Sequence, residues 1–348
     1  MTVESSSSAD AIEVRSHGDG ASWNRFVEAH LSGSASHLFE WREIVERTYR
    51  RRPIFLSASR GAKLTGVLPL VWMPGRLGGR RLVSMPYLDL GGPLALDRES
   101  RDALLDNALA YAEELGAAGL ELREDAPAGS ESLRHRFVLS LREELDELWQ
   151  AVGGKVRNQV RKAEKSGLVT QREEPSELDS FYAVFALNMR NLGSPVHDRR
   201  FFAQALDRLP DCRLYVTRNR SGTPVAGAIG IRCGAQLVVP WASSDRAARP
   251  LCPNHSLYWA ILREAVAEGL ESFDFGRSTV GGGTYRFKKQ WGAEARPLGW
   301  RVMTPEASAP TGDPGPSRLD RVLVGTWRRL PLALANRLGP RVRGRLPQ

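Results

Sequence analysis

Cysteine is scarce in this sequence of 348 residues: Cys212, Cys233 and Cys252 are the complete set, and none forms a CxxC pair. An odd number so spaced excludes a disulfide framework and a cysteine zinc site, and it predicts a reducing compartment. The six histidines are dispersed and never fall as HExxH, so no metal is expected in the site. No apolar run approaches the ~20 residues that span a bilayer. The opening residues MTVESSSSAD lack the basic start and apolar core of a secretory signal. These absences predict a soluble, cytoplasmic protein.

What is present is positive charge. Lys and Arg number 49 against 40 Asp and Glu, a net charge of +9. An anionic partner is implied: a phosphate-bearing molecule, nucleic acid or an anionic membrane surface. Part of the excess lies in Lys155 to Gly167, KVRNQVRKAEKSG. Val156, Val160 and Ala163 form an apolar stripe at helical spacing, while Arg157, Arg161 and Lys165 share another face. Three cations in a row suit an extended anion such as pyrophosphate or an RNA backbone, and equally a solvated helix face. The final segment, 318–348, holds eight arginines against one acid, Asp320. Leu319, Val322, Leu323, Trp327 and Leu330 align on one helical face there. Such a segment docks on an anionic membrane or packs against its own domain.

The richest stretch is Phe273 to Pro297, FDFGRSTVGGGTYRFKKQWGAEARP. Alternation over Phe273, Asp274 and Phe275 predicts a half-buried strand ending at Gly276, Arg277 and Ser278. Gly281, Gly282 and Gly283 free the backbone for close approach to a ligand. Tyr285, Arg286, Lys288, Lys289 and Trp291 then interleave cations with rings on what reads as an extended segment. Upstream, Asn254 to Gly269 reads as an amphipathic helix, with Asn254 and His255 placed at its start to meet an anion through backbone donors.

Two sections of the chain read alike. A hairpin at Arg60–Gly61 is echoed at Arg220–Gly222, and helix, glycine and strand around Gly119 are echoed around Gly269. Two pseudo-repeated α/β (α+β) halves are therefore expected. The expected organisation is a disordered start at 1–11, a first half at 12–140, a second half carrying the site at 141–304, a Pro/Gly-rich linker at 305–317, and the basic amphipathic segment 318–348.

The run from Asn254–His255 through FDFGRSTVGGGTYRFKKQWGA resembles the FemAB-like branch of the GNAT acyltransferase superfamily. KVRNQVRKAEKSG and Arg190-Asn191-Leu192-Gly193-Ser194-Pro195 share the resemblance. It is strongest to FemAB-related proteins of exosortase and exopolysaccharide loci, and it covers most of the chain from Phe39 onward. It implies a tandem GNAT-like acyl-CoA N-acyltransferase fold, and transfer of an acyl or aminoacyl group onto an amine. The implied donor is acyl-CoA or aminoacyl-tRNA, with no tightly bound cofactor. The stretch from Trp241 to Asn254, where a CoA enzyme carries a glycine-containing pyrophosphate loop, has no glycine. On this reading Lys288, Lys289, Tyr285 and Asp274 are the candidate catalytic groups. Arg277, Gly276, Ser278, Asn254, His255, Arg157, Arg161, Lys155 and Asn191 are candidates for substrate binding. The competing reading is a non-catalytic module that holds RNA or anionic lipid. The acceptor and the oligomeric state stay open.

Overall fold

The computed structural model of the protein describes residues 11–16, 18–74, 79–304, 307–310 and 318–346. Most of the expected disordered start at 1–11, and of the 305–317 linker, lies outside these residues. The chain forms two compact units, one built mainly from residues 1–125 and the other mainly from 126–298 with 312–344.

The first unit runs β1 (Ile12–Ser16), α1 (Gly20–Ala29), α2 (Trp41–Tyr49), β2 (Arg52–Arg60), β3 (Lys63–Pro74), β4 (Arg80–Ser84), β5 (Leu94–Ala95), α3 (Arg98–Glu114) and β6 (Leu120–Leu122). β1 to β4 form an antiparallel meander, and α3 carries the chain across to β6, parallel to β4. Leu104, Ala108 and Ala112 recur every four residues along α3 and bury against Leu56, Leu68, Leu70 and Leu82 of the sheet.

The second unit runs β7 (Arg134–Ser140), α4 (Leu145–Ala151), α5 (Gly154–Lys165), β8 (Val169–Glu173), α6 (Leu178–Leu192), α7 (Arg199–Arg208), β9 (Cys212–Arg218), β10 (Pro224–Cys233), β11 (Gln236–Ser244), α8 (Pro253–Ala267), β12 (Ser272–Thr279), α9 (Gly283–Lys289) and β13 (Glu294–Pro297). Its sheet order is β13-β7-β12-β11-β10-β9-β8. β8 to β11 again form an antiparallel meander, and α8 crosses to β12, parallel to β11. Ala226, Ala228, Leu237, Phe273 and Phe275 face α8, through Leu257, Ile261 and Ala265. α6 covers the opposite face, where Phe181 packs on Gly227. α6 follows a 3-10 turn at Pro175–Glu177, and the Glu177 carboxylate accepts from Ser180 and Arg218.

β14 (Arg301–Met303) and β15 (Ser308–Pro310) return to the first sheet, with β14 antiparallel to β6. Correspondingly, β7 lies antiparallel to β12 in the second sheet. The repeat thus extends to every strand of the meander, the crossover helix and a closing strand. The first sheet takes its closing strand from downstream and the second from upstream. This corrects the expected halves: β7, within 12–140, pairs in the second sheet, and β14, within 141–304, pairs in the first. The open edges of β6 and β12 decide this. α10 (Arg318–Arg329) and α11 (Leu332–Arg343) end the chain, resting on the α6 end of the second unit.

Candidate active site

β11 and β12 pair for three residues, Gln236↔Ser272 to Val238↔Asp274, and then part. Pro240 supplies a cause. It has no N–H for the ladder, and it sits where the β10–β11 register shifts between Ile229 and Ile231. On the other side Gly276 takes a φ of +72°, a region open chiefly to glycine, and the β12–β7 register shifts between Asp274 and Arg277. The two central strands of the second sheet therefore diverge into an opening.

Lys288 and Lys289 do not lie on an extended segment as expected. After the glycines the chain forms α9, where consecutive side chains project about 100° apart. Lys288 is buried and Lys289 is exposed. The Lys288 ammonium donates to the carbonyl oxygens of Gly276 and Arg277, each at 2.9 Å. It is thereby fixed just past the last β11–β12 pair. Tyr285, half-buried one turn earlier, sets its ring edge-on to His135 and Phe137. Ser278 is buried, its hydroxyl donating to the carbonyl of Arg277.

Asp274 points away from Phe273 and Phe275, as alternation requires. Its carboxylate takes an Arg136 N–H at 3.0 Å and the Gly276 N–H at 2.7 Å, with both side chains buried. The expected proton acceptor is instead an anchor that holds the turn presenting the Lys288 carbonyl partners. Arg136 went unnoticed in the sequence. The alternation of Arg134 to Ser140, with Phe137 and Leu139 inside, was the available signal.

The start of α8 has no side-chain cap and no acid in its first turn; Cys252 precedes it at a φ of +62°. The equivalent helix α3 is closed by its own Asp97, which accepts from the Ser100 N–H at 2.7 Å, beside Glu99. A cavity of about 480 Å³ adjoins α3, but Arg101 and Arg123 on its wall are already paired with Glu124 and Glu121. At the start of α8 Pro253 has no N–H, and the Cys252, His255 and Ser256 N–H groups donate to the carbonyls of Arg249 and Cys252, contrary to the expectation that this start meets an anion through its backbone donors.

His255 sits at this start, its ring stacked 6.0 Å from Trp291 and edge-on to Phe287. Burial, with the Lys155 ammonium adding to it, pushes its imidazole down to about 4. It is uncharged at neutral pH, so an anion here would meet exposed Lys155 rather than an imidazolium. Trp291 Nε1 is buried without a hydrogen-bond partner among the described residues. Asn254, one residue before His255, is partly exposed on the same turn.

The row of cations on α5 does not act together. The Arg157 guanidinium donates to the carbonyls of Trp149, Gln150 and Val152 at 3.2, 3.0 and 2.7 Å, satisfying the last turn of α4. Arg161 lies 5.5 Å over the Trp149 ring. Arg157 is therefore structural, contrary to the substrate-binding role expected of it. Asn191 sits on α6, across the sheet from α8. Lys288 is thus tied to Gly276 and Arg277, with Tyr285 one turn earlier on α9, while Lys155 and His255 lie together at the start of α8, and Lys289 is outward.

Residues 150–289 match the acetyltransferase (GNAT) domain family. The solved structure of FemX is similar at a TM-score of 0.66 and 16% identity, covering 82% of this chain and 96% of FemX. The chain has a FemAB-like tandem GNAT fold. L-PGS from Bacillus licheniformis shares this fold at a TM-score of 0.57 and 12% identity, over 89% of this chain and 96% of that one. So does the C-terminal domain (DUF2156) of the "Putative Lysylphosphatidylglycerol Synthetase" from Agrobacterium fabrum. Its TM-score is 0.55 at 15% identity, over 82% and 92% of the two chains. No curated protein matches the sequence. The GNAT match supports acyl transfer as the class of reaction.

Proposed function

We propose that the protein is an N-acyltransferase. It moves an acyl or aminoacyl group from a phosphate-bearing donor, acyl-CoA or aminoacyl-tRNA, to an amine of a cell-envelope, peptidoglycan or exopolysaccharide precursor. The observation that carries this reading is the Lys288 ammonium, fixed and desolvated at the point where β11 and β12 part. The amine nitrogen attacks the donor carbonyl carbon, a C–N bond forms, and the carbonyl electrons move to oxygen. Lys288 stabilises that oxyanion. The C–S or C–O bond to the donor then breaks, the leaving group takes a proton from Tyr285, and Tyr285 regains one from solvent, to which the attacking amine has released its own. Holding the two reactants in one opening supplies the rest of the acceleration. Exposed Lys155, beside His255 at the start of α8, suits the donor's phosphates. The lysylphosphatidylglycerol synthetase domain that shares this fold supports an acceptor or product at the cell envelope.

The test is to incubate the purified protein separately with acetyl-CoA and with a mixture of aminoacyl-tRNAs, each with a panel of amine acceptors. Mass spectrometry is expected to show an acceptor heavier by the donor's acyl group in one of the two. A folded protein that consumes neither donor, and copurifies with none, would falsify the reading.

A further inference from the structure

The last two helices rest on α6 through small residues: Gly193 meets Val324, and Gly339 meets Val196. A Cβ on either glycine would come within 3.0 Å of its neighbour, so the seat is close. Arg343 turns inward and donates to His197 Nε2 at 2.9 Å, and Arg190 donates to the Arg328 carbonyl. Other side chains of both helices face out. Val322 and Leu323 are 63% and 57% exposed. On α11, Leu334, Leu338 and Val342 recur every four residues as a second exposed stripe, with exposed Arg337 and Arg341 in the adjoining row. From Arg321 to Leu346 there are seven arginines and no acid.

We propose that this outward face docks on an anionic phospholipid membrane. The proposal goes beyond the acyl-transfer reading and does not depend on it. Aliphatic side chains and arginines alternating on one exposed helix face match the boundary between headgroups and acyl chains. Arginines without a compensating acid select an anionic surface. No helix among the described residues is long and apolar enough to cross a membrane, so the contact is peripheral.

The experiment is sedimentation of the full chain with vesicles of phosphatidylcholine, alone or with phosphatidylglycerol added. The protein is expected to pellet with the anionic vesicles only, and to be released by salt. The pair R337Q/R341Q should weaken binding on the order of 10-fold. The pair V322S/L323S should weaken it roughly fivefold by removing buried aliphatic area. Both pairs should melt with the parent, since these side chains are exposed. Absence of pelleting, equal pelleting with neutral vesicles, or indifference to both pairs overturns the proposal. Retention on RNA without vesicle binding would also overturn it, assigning the face to nucleic acid. Acyl transfer is assayed separately in solution, so failure here leaves that reading untouched.

Discussion

The Lys288 ammonium is tied to the carbonyl oxygen of Gly276, twelve residues earlier and 2.9 Å away. Through this bond α9 and the end of β12 behave as one piece. Lys288→Ala is expected to lower kcat on the order of 10²-fold, the range for loss of one oxyanion donor. Lys289→Ala, on the exposed face, should stay within about twofold of the parent. Steady-state kinetics at saturating and sub-saturating donor separate a loss in kcat from a rise in KM. Equal effects of the two substitutions would remove Lys288 from the chemistry.

Asp274 and Arg136 form the buried pair beneath this turn. Removing one partner strands the other charge, which costs about 3–5 kcal/mol. Asp274→Ala and Arg136→Ala should each lower the melting temperature sharply. The double replacement R136M/D274L should recover much of the loss, because no charge is then stranded. If Asp274 were instead a proton acceptor, Asp274→Asn would abolish turnover while leaving the melting temperature unchanged.

Arg157 gives a sharper division between structure and binding. Its three carbonyl partners close α4, so Arg157→Ala should destabilise the protein by about 1–2 kcal/mol, the guanidinium being partly solvated. The KM for donor should not move. Thermal melting and donor titration on the same sample check both halves of this expectation, and a raised KM at unchanged stability would restore the substrate role.

The sequence displays the repeat through local signals: hairpin turns, the helix–glycine–strand passages and the alternation of Phe273 to Phe275. Those signals are carried by periodicity, which neighbours in sequence share. The exchange of β7 and β14 between sheets is invisible at that level, because an edge strand's partner is chosen by which sheet remains open. The segment after Gly283 was misjudged for a related reason. Seven residues with three basic side chains give little period, and α9 is set by Phe287 and Trp291 packing toward Tyr258 and His255. Lys288 and Lys289 diverge in either conformation, since adjacent side chains do so on a helix and on a strand alike. Asp274 shows the limit most clearly. A carboxylate beside a glycine loop reads as chemistry until its partner 138 residues away is seen.

The last expectation concerns pH and the first unit. His37 is buried, and its Nε2 is 3.0 Å from the Gly92 carbonyl, which can only accept. Nε2 therefore carries the proton, and Nδ1 accepts from the Ser34 hydroxyl at 3.0 Å. Both ring nitrogens are satisfied in the neutral form, and burial pushes the imidazole down to about 4. An unfolded chain binds that proton near pH 6.5. The folded value is the lower one, so the stabilising contribution is complete above about pH 6.5 and is lost as pH falls through about 4. The gap of roughly 2.5 units corresponds to about 3 kcal/mol. His37→Gln keeps a donor and an acceptor but cannot titrate. Its melting temperature should therefore fall less than the parent's between pH 6.5 and 4, whatever its value at neutral pH. Because His197 and His255 are also held neutral, both proteins will show some acid loss, and the measurement is the difference between their slopes. Parallel slopes would show that His37 does not contribute to acid lability.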